Sequence, residues 1–188
     1  MSRLPDFVLV TGNRDKRREA ARILGFEPEY APIDLPEIQS LDLLAVLRAK
    51  GEEAWLRLGR PLVVEETGLE LAALNGFPGP LVKWMLDAVG AGALARIAHA
   101  LGDDRATARC ALLYRDAERT VVGRGAAGGH LVVEARGRHG FGWDPVFVPA
   151  GRDRTFAELD DETKDAIGHR GRAWRDLLIR LSAADRSA

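Results

Sequence analysis

The chain has 188 residues, enough to bury a sizeable core as one domain or as two closely packed lobes. Its 27 basic and 28 acidic residues leave a formal net charge of -1, which argues against the broad basic footprint of a protein gripping polymeric nucleic acid. The single cysteine, Cys110, excludes an internal disulfide and a thiolate-only zinc site.

No apolar run approaches transmembrane length, and a strand pattern begins directly after residue 6. A cytoplasmic protein with no membrane partner is the expectation, and Cys110 reads as a small buried strand residue. Residues 182–188 read as a fraying tail to a single domain spanning 1–188.

Phe7-Val8-Leu9-Val10 is a continuous apolar run and reads as a buried strand. Thr11-Gly12-Asn13 makes a short turn, and a helix over 14–24 stops at Gly25. A strand, glycine turn and helix present backbone N–H groups and a positive helix end to an anion. Lys16 falls on the packed face with Ala20, Ile23 and Leu24, so its ammonium reaches toward the same mouth, while Arg17, Arg18 and Arg22 read as solvated. Residues 28–33 form a short edge strand limited by prolines. Glu37 stands alone in the loop 34–39. A helix over 41–58 carries Lys50 at the border of its apolar stripe.

Leu62-Val63-Val64 then forms the body of a buried strand that ends in Glu65-Glu66, followed by Thr67. Alternation puts Glu66 on the face of Leu62 and Val64, and Glu65 on that of Val63. Two acids at a strand end are either solvated as the strand leaves the core or met there by cations and donors. Residues 75–80, rich in glycine and proline, form a shaped loop. Short helices follow over 81–89, bearing Lys83 and Trp84, and over 92–101. Strands are expected over 107–114, 120–125 and 130–135, then at 146–148. One last helix, over 161–181, carries Lys164, His169 and Arg170.

Gly123-Arg-Gly125-Ala-Ala-Gly128 matches the dinucleotide pattern letter for letter, but a strand follows where a helix is needed, which excludes it. The four histidines lack metal-ligand spacing, and no G-x-S-x-G nucleophile turn is present. Phe141 and Trp143 bracket Gly142 and abut Asp144: a stacking platform for a base, or a plug at the end of a sheet. Lys164, His169 and Arg170 read either as donors to a phosphate and a base or as a solvated face. Lysines, a helix N-terminus, carboxylates and aromatic faces together suit a nucleoside polyphosphate enzyme with a divalent cation on Glu37 and Glu66.

The same residues resemble the inosine triphosphate pyrophosphatase family. The matching segments are Thr11-Gly-Asn-Arg-Asp-Lys16, Ile33-Asp-Leu-Pro-Glu37, Val64-Glu-Glu-Thr67, Phe77-Pro-Gly-Pro-Leu-Val-Lys-Trp84, Phe141-Gly-Trp-Asp-Pro145, Thr155-Phe-Ala-Glu-Leu159 and Lys164 through His169-Arg170, in family order over nearly the whole chain. The resemblance implies an α/β fold with an elongated mixed sheet flanked by helices, two lobes with a central cleft, and a homodimer. It implies Mg²⁺-dependent hydrolysis of ITP, dITP and XTP to the monophosphate and pyrophosphate, with Mn²⁺ as a substitute ion. Carried across, Thr11, Gly12, Asn13, Lys16, Lys50 and Thr67 hold the phosphates and Lys83 lines the cleft. Phe141, Gly142, Trp143 and Asp144 form the base pocket, closed by Lys164, His169 and Arg170. Glu37 and Glu66 bind the metal, and Glu66, Glu65 and Lys16 serve the chemistry. Glu66 stands where the family has Asp, and Gly168 where it has Ser. These departures motivate two alternatives: a pyrophosphatase for another nucleotide, ordinary or modified, or a nucleotide-binding homologue without turnover.

Overall fold

In the computed structural model, which describes residues 6–185, the first apolar run becomes strand β1 (Val8–Val10) and helix α1 (Arg14–Leu24) follows it. Asn13 caps α1 by accepting the N–H groups of Asp15 and Lys16, and Gly25 closes it in the left-handed conformation that a side chain opposes. β2 (Glu29–Ala31) is a parallel edge strand beside β1. Helix α2 (Leu43–Leu58) starts two residues later than the apolar pattern suggests, because Asp42 accepts the N–H groups of Leu44 and Ala45.

β3 (Leu62–Leu71) corrects the expectation that the strand ends at its two acids. It continues to Leu71 because β5 (Arg105–Arg115) pairs antiparallel along its whole length. On its other edge β1 stops opposite Val64, and the two-residue strand β4 (Pro78–Gly79) takes over only at Leu69. Residues 65–68 therefore have a strand neighbour on one side alone. That gap in the sheet is the floor of the cleft.

Alternation of side chains builds the layers. Leu9 and Val63 pack with Ala20 of α1, while Val10, Leu62 and Val64 pack with Leu47 and Ala54 of α2 on the other face. β1 thus lies between two parallel neighbours whose crossover helices cover opposite faces, which is where open α/β sheets leave a crevice beyond the strand ends. A third cluster joins Leu69, Leu71, Ala106 and Leu131 to helices α3 (Val82–Val89) and α4 (Ala91–Ala100). Cys110 is buried in β5, as its strand reading implies.

Two further expectations change. β6 (Thr120–Leu131) is one unbroken strand paired with β5, not two strands divided by glycines, and it does not reach residue 135. The last helix is two: α5 (Asp161–Ile167) and α6 (His169–Asp185), separated at Gly168, whose backbone is extended (φ -72, ψ 162). The glycines of β6 have a packing reason. A Cβ at Gly125 would lie 2.1 Å from the carbonyl oxygen of His169, and one at Gly123 2.5 Å from Cβ of Leu177. Bare backbone lets α6 settle directly on the strand. β7 (Phe147–Pro149) completes a sheet ordered β2-β1-β3-β5-β6-β7, with β4 beside β3, so the chain has the mixed α/β sheet flanked by helices that was expected. α6 runs past 181, and residues 186–188 of the expected tail lie outside the described residues.

Candidate active site

A cleft of about 540 Å³ opens over residues 65–67 of β3. One wall is the turn Thr11-Gly12-Asn13 with Lys16. Also lining it are Lys83 on α3, Phe141, Gly142, Trp143 and Asp144, and His169 and Arg170 from the first turn of α6. Glu37 and Lys50 close the α2 side. Of the residues singled out from the sequence, Lys164 alone does not line this space.

The turn after β1 stabilises itself. Thr11 Oγ1 accepts the N–H of Asn13 at 3.1 Å, and Asn13 Oδ1 accepts those of Asp15 and Lys16 at 2.9 and 3.1 Å. Nothing lies within 4 Å of where a Gly12 Cβ would be, so the turn faces open space. Lys16 extends from α1 until its Nζ is 3.3 Å from Glu65 Oε1.

Neither Glu65 nor Glu66 is solvated, and they leave the strand on opposite faces as alternation requires. Glu65 meets Arg170, whose Nε and Nη2 both donate to Oε1 (3.1 and 3.0 Å) while Nε also donates to Oε2 at 3.0 Å. Burial raises the Glu65 carboxyl, but Arg170 and Lys16 outweigh it and hold the group below its ordinary range. Glu66 meets Lys50 at 2.6 Å through Oε2, and among the described residues nothing donates to its Oε1. Lys50, expected to hold phosphates, also lies 2.6 Å from Glu37 and so is engaged by two carboxylates. Burial lowers the Lys50 ammonium; Glu66 and Glu37 more than compensate.

The network continues through Glu19, which the sequence reading missed. Lys164 is buried, with Nζ 2.5 Å from Glu19 Oε1 and 2.6 Å from Asp144 Oδ2, and Arg170 Nη1 donates to the other oxygen of Glu19. Lys164 is therefore a strut behind the pocket, and Arg170 has all three nitrogens bonded to carboxylates. Burial opposes ionisation of Glu19, yet Arg170 and Lys164 lower its pKa to about 2. An unbroken alternation of charge runs Asp144, Lys164, Glu19, Arg170, Glu65, Lys16 across the floor. The available signal was helical: Glu19 sits one turn after Lys16 on the packed face of α1.

At the aromatic end Asp144 Oδ2 also accepts the N–H of Phe141 at 2.7 Å, and Gly140 leaves room for that carboxylate, since a Cβ there would lie 2.1 Å from Oδ2. Trp143 joins the buried cluster, as the plug reading has it, and also lines the cleft. The His169 ring lies 5.8 Å from that of Trp143. Burial first, then the charges of Arg170 and Lys164, depress His169 to about 3, so the ring is neutral at pH 7. Among the described residues Trp143 Nε1 and His169 Nδ1 are buried without hydrogen-bond partners, beside this pocket. The indole nitrogen only donates, whereas a nitrogen of the neutral imidazole donates or accepts according to tautomer.

A family model described as the Ham1 family matches residues 7–179. The chain belongs to the Ham1 family. Among similar proteins, a dITP/XTP pyrophosphatase of Pyrobaculum aerophilum is 37% identical over 172 residues, covering 90% of this chain and 92% of that one. An inosine triphosphate pyrophosphatase of Yarrowia lipolytica is 39% identical over 180 residues, covering 93% and 95%. A Ham1 protein from Coxiella burnetii, solved as a structure, superposes with a TM-score of 0.78 at 28% identity, over 97% of this chain and 98% of that one. A nucleoside-triphosphatase / dITP/XTP pyrophosphatase from Mycobacterium abscessus gives 0.69 at 32%, over 91% and 98%. The Ham1 fold matches the resemblance carried by the motifs.

Proposed function

We propose that this Ham1-family chain hydrolyses ITP, dITP and XTP to the monophosphate and pyrophosphate, removing deaminated purines from the nucleotide pool. The observation that carries the reading is one cleft lined by the turn before α1 and Lys16 together with Phe141, Trp143, His169 and Arg170. Phe141 offers a ring face to the base. The relatives named for dITP, XTP and inosine triphosphate support the same substrates.

The donor set at Glu37 and Glu66 fits a divalent cation, since two carboxylates converge on one point from separate elements. Mg²⁺, or Mn²⁺ in its place, would neutralise phosphate oxygens and the departing pyrophosphate when bound there. The chain's own groups divide the rest. Lys16 and the Thr11-Gly12-Asn13 turn hold phosphate oxygens. Glu66, with Oε1 unbonded, orients the water and takes its proton as the new oxygen–phosphorus bond forms at the α-phosphate and the bond to the leaving pyrophosphate breaks. Glu65, clamped by Arg170 and Lys16, positions them and is a poor base. Lobes that close on the nucleotide, a homodimer and a cytoplasmic setting belong to this reading.

The test is pyrophosphate release from purified protein with Mg²⁺ and ITP, XTP, dITP, ATP, GTP or dTTP. Release from the first three alone is expected. Comparable release from ATP or dTTP would keep the chemistry and reject the substrate class; binding of ITP without release would reject the enzyme.

A further inference from the structure

Resting on that reading of the site, we propose that Lys50 occupies the cation position of the free protein, so that the divalent ion enters only together with nucleotide phosphates. One ammonium answers both carboxylates that would hold the ion, at 2.6 Å from Glu37 Oε1 and 2.6 Å from Glu66 Oε2. Glu37 comes from the loop before α2 and Glu66 from mid-β3. Among the described residues neither acid has another ion-pair partner. Lys50 is therefore what draws them together.

A divalent ion cannot simply be added to this arrangement. It would stand beside the ammonium at a few ångströms, in a partly buried place where screening by salt is weak. The ammonium must first find another anion, and of the other acids lining the cleft only the exposed Asp34 has no ion-pair partner among the described residues. Glu65 is held by Arg170 and Lys16, Asp144 by Lys164, and Asp87 pairs with Lys83. A triphosphate supplies several negative oxygens at once. Lys50 then turns to a phosphate while the ion takes the carboxylates, and every charge stays paired through the exchange. The extra methylene of Glu66, about 1.5 Å of reach over Asp, lengthens the arm that holds Lys50.

Mn²⁺ binding measured by loss of its free-ion spin resonance signal tests this without any turnover. The nucleotide-free protein is expected to bind Mn²⁺ roughly a hundredfold or more weakly than Lys50→Met, by like-charge repulsion at short range. Addition of a non-hydrolysable α,β-methylene ITP analogue is expected to restore binding to the unsubstituted protein. Equal binding by both nucleotide-free proteins, or no binding by a folded Lys50→Met, overturns the proposal. Should that variant fail to fold, ¹⁵N-lysine spectra of the unsubstituted protein decide. The protected Lys50 ammonium resonance should survive Mg²⁺ alone and disappear with Mg²⁺ and analogue; loss with Mg²⁺ alone overturns the proposal. Because no arm reads pyrophosphate release, a failure here is separate from a failure of the substrate assay.

Discussion

Glu65 and Glu66 are adjacent in sequence and do different work because a strand sends them to opposite faces. Glu65 points to α1 and α6 and is locked by a guanidinium; Glu66 points to α2 and keeps one oxygen unbonded. Glu66→Gln is therefore expected to lower kcat by about 10²–10⁴, the range for loss of a general base, while the fold stays intact because Lys50 keeps Glu37 as a partner. Near-normal kcat would remove Glu66 from the chemistry. Glu65→Gln should act on stability first, because it leaves Arg170 short of charge in a buried place. About 3–5 kcal/mol is the usual cost of breaking a buried pair, read as a fall in the urea midpoint. A midpoint unchanged from the unsubstituted protein would show that Glu65 holds nothing together.

The contact of α6 with β6 sets the position of His169 and Arg170. The break at Gly168 re-aims the chain so that these two residues open a new helix over the cleft; a Cβ at Gly168 would lie 2.6 Å from the Lys164 carbonyl oxygen. β6 answers with bare backbone at Gly123 and Gly125. Gly125→Ala should cost about 1–3 kcal/mol or more, as overpacking does, and should raise KM for ITP because α6 is pushed off the strand. Gly128→Ala is the control. Nothing lies within 4 Å of its added methyl, so its effect should stay within about 0.5 kcal/mol. Equal stability of the two variants in urea would show that the close approach is not needed.

Across the molecule, the buried charges tie stability to pH. Glu19 is held at about 2 against an ordinary 4.5, and His169 at about 3 against 6.5. Both folded values are depressed, so the folded state binds fewer protons than the unfolded chain in acid. Their contribution is complete above the unfolded values and is lost as pH falls. Urea midpoints should decline from about pH 6.5 as His169 is called on to charge, and more steeply below about 4.5 as Glu19 joins it. His169→Phe should flatten the upper part of that curve. A midpoint constant from pH 7 to 4 would contradict the buried network.

The sequence by itself determined the elements and their chemistry. Asn13 and Gly25 bracket α1, the apolar run Leu62-Val63-Val64 makes a buried strand, and alternation assigns Glu65 and Glu66 to opposite faces; each rests on hydrogen bonds or periodicity within a few residues. Most of the residues expected in the cleft were legible because the family motifs hold them in order. What the tertiary structure decided was partnership and termination. β3 runs past its acids because β5 pairs with it, β6 tolerates its glycines because α6 rests on them, and the final helix divides at Gly168. Lys164, Lys50 and Arg170 are buried rather than solvated because Glu19, Asp144, Glu37, Glu65 and Glu66 reach them from distant parts of the chain. A charge shows its type in the sequence, but the ion it meets depends on which segments the fold brings within a few ångströms.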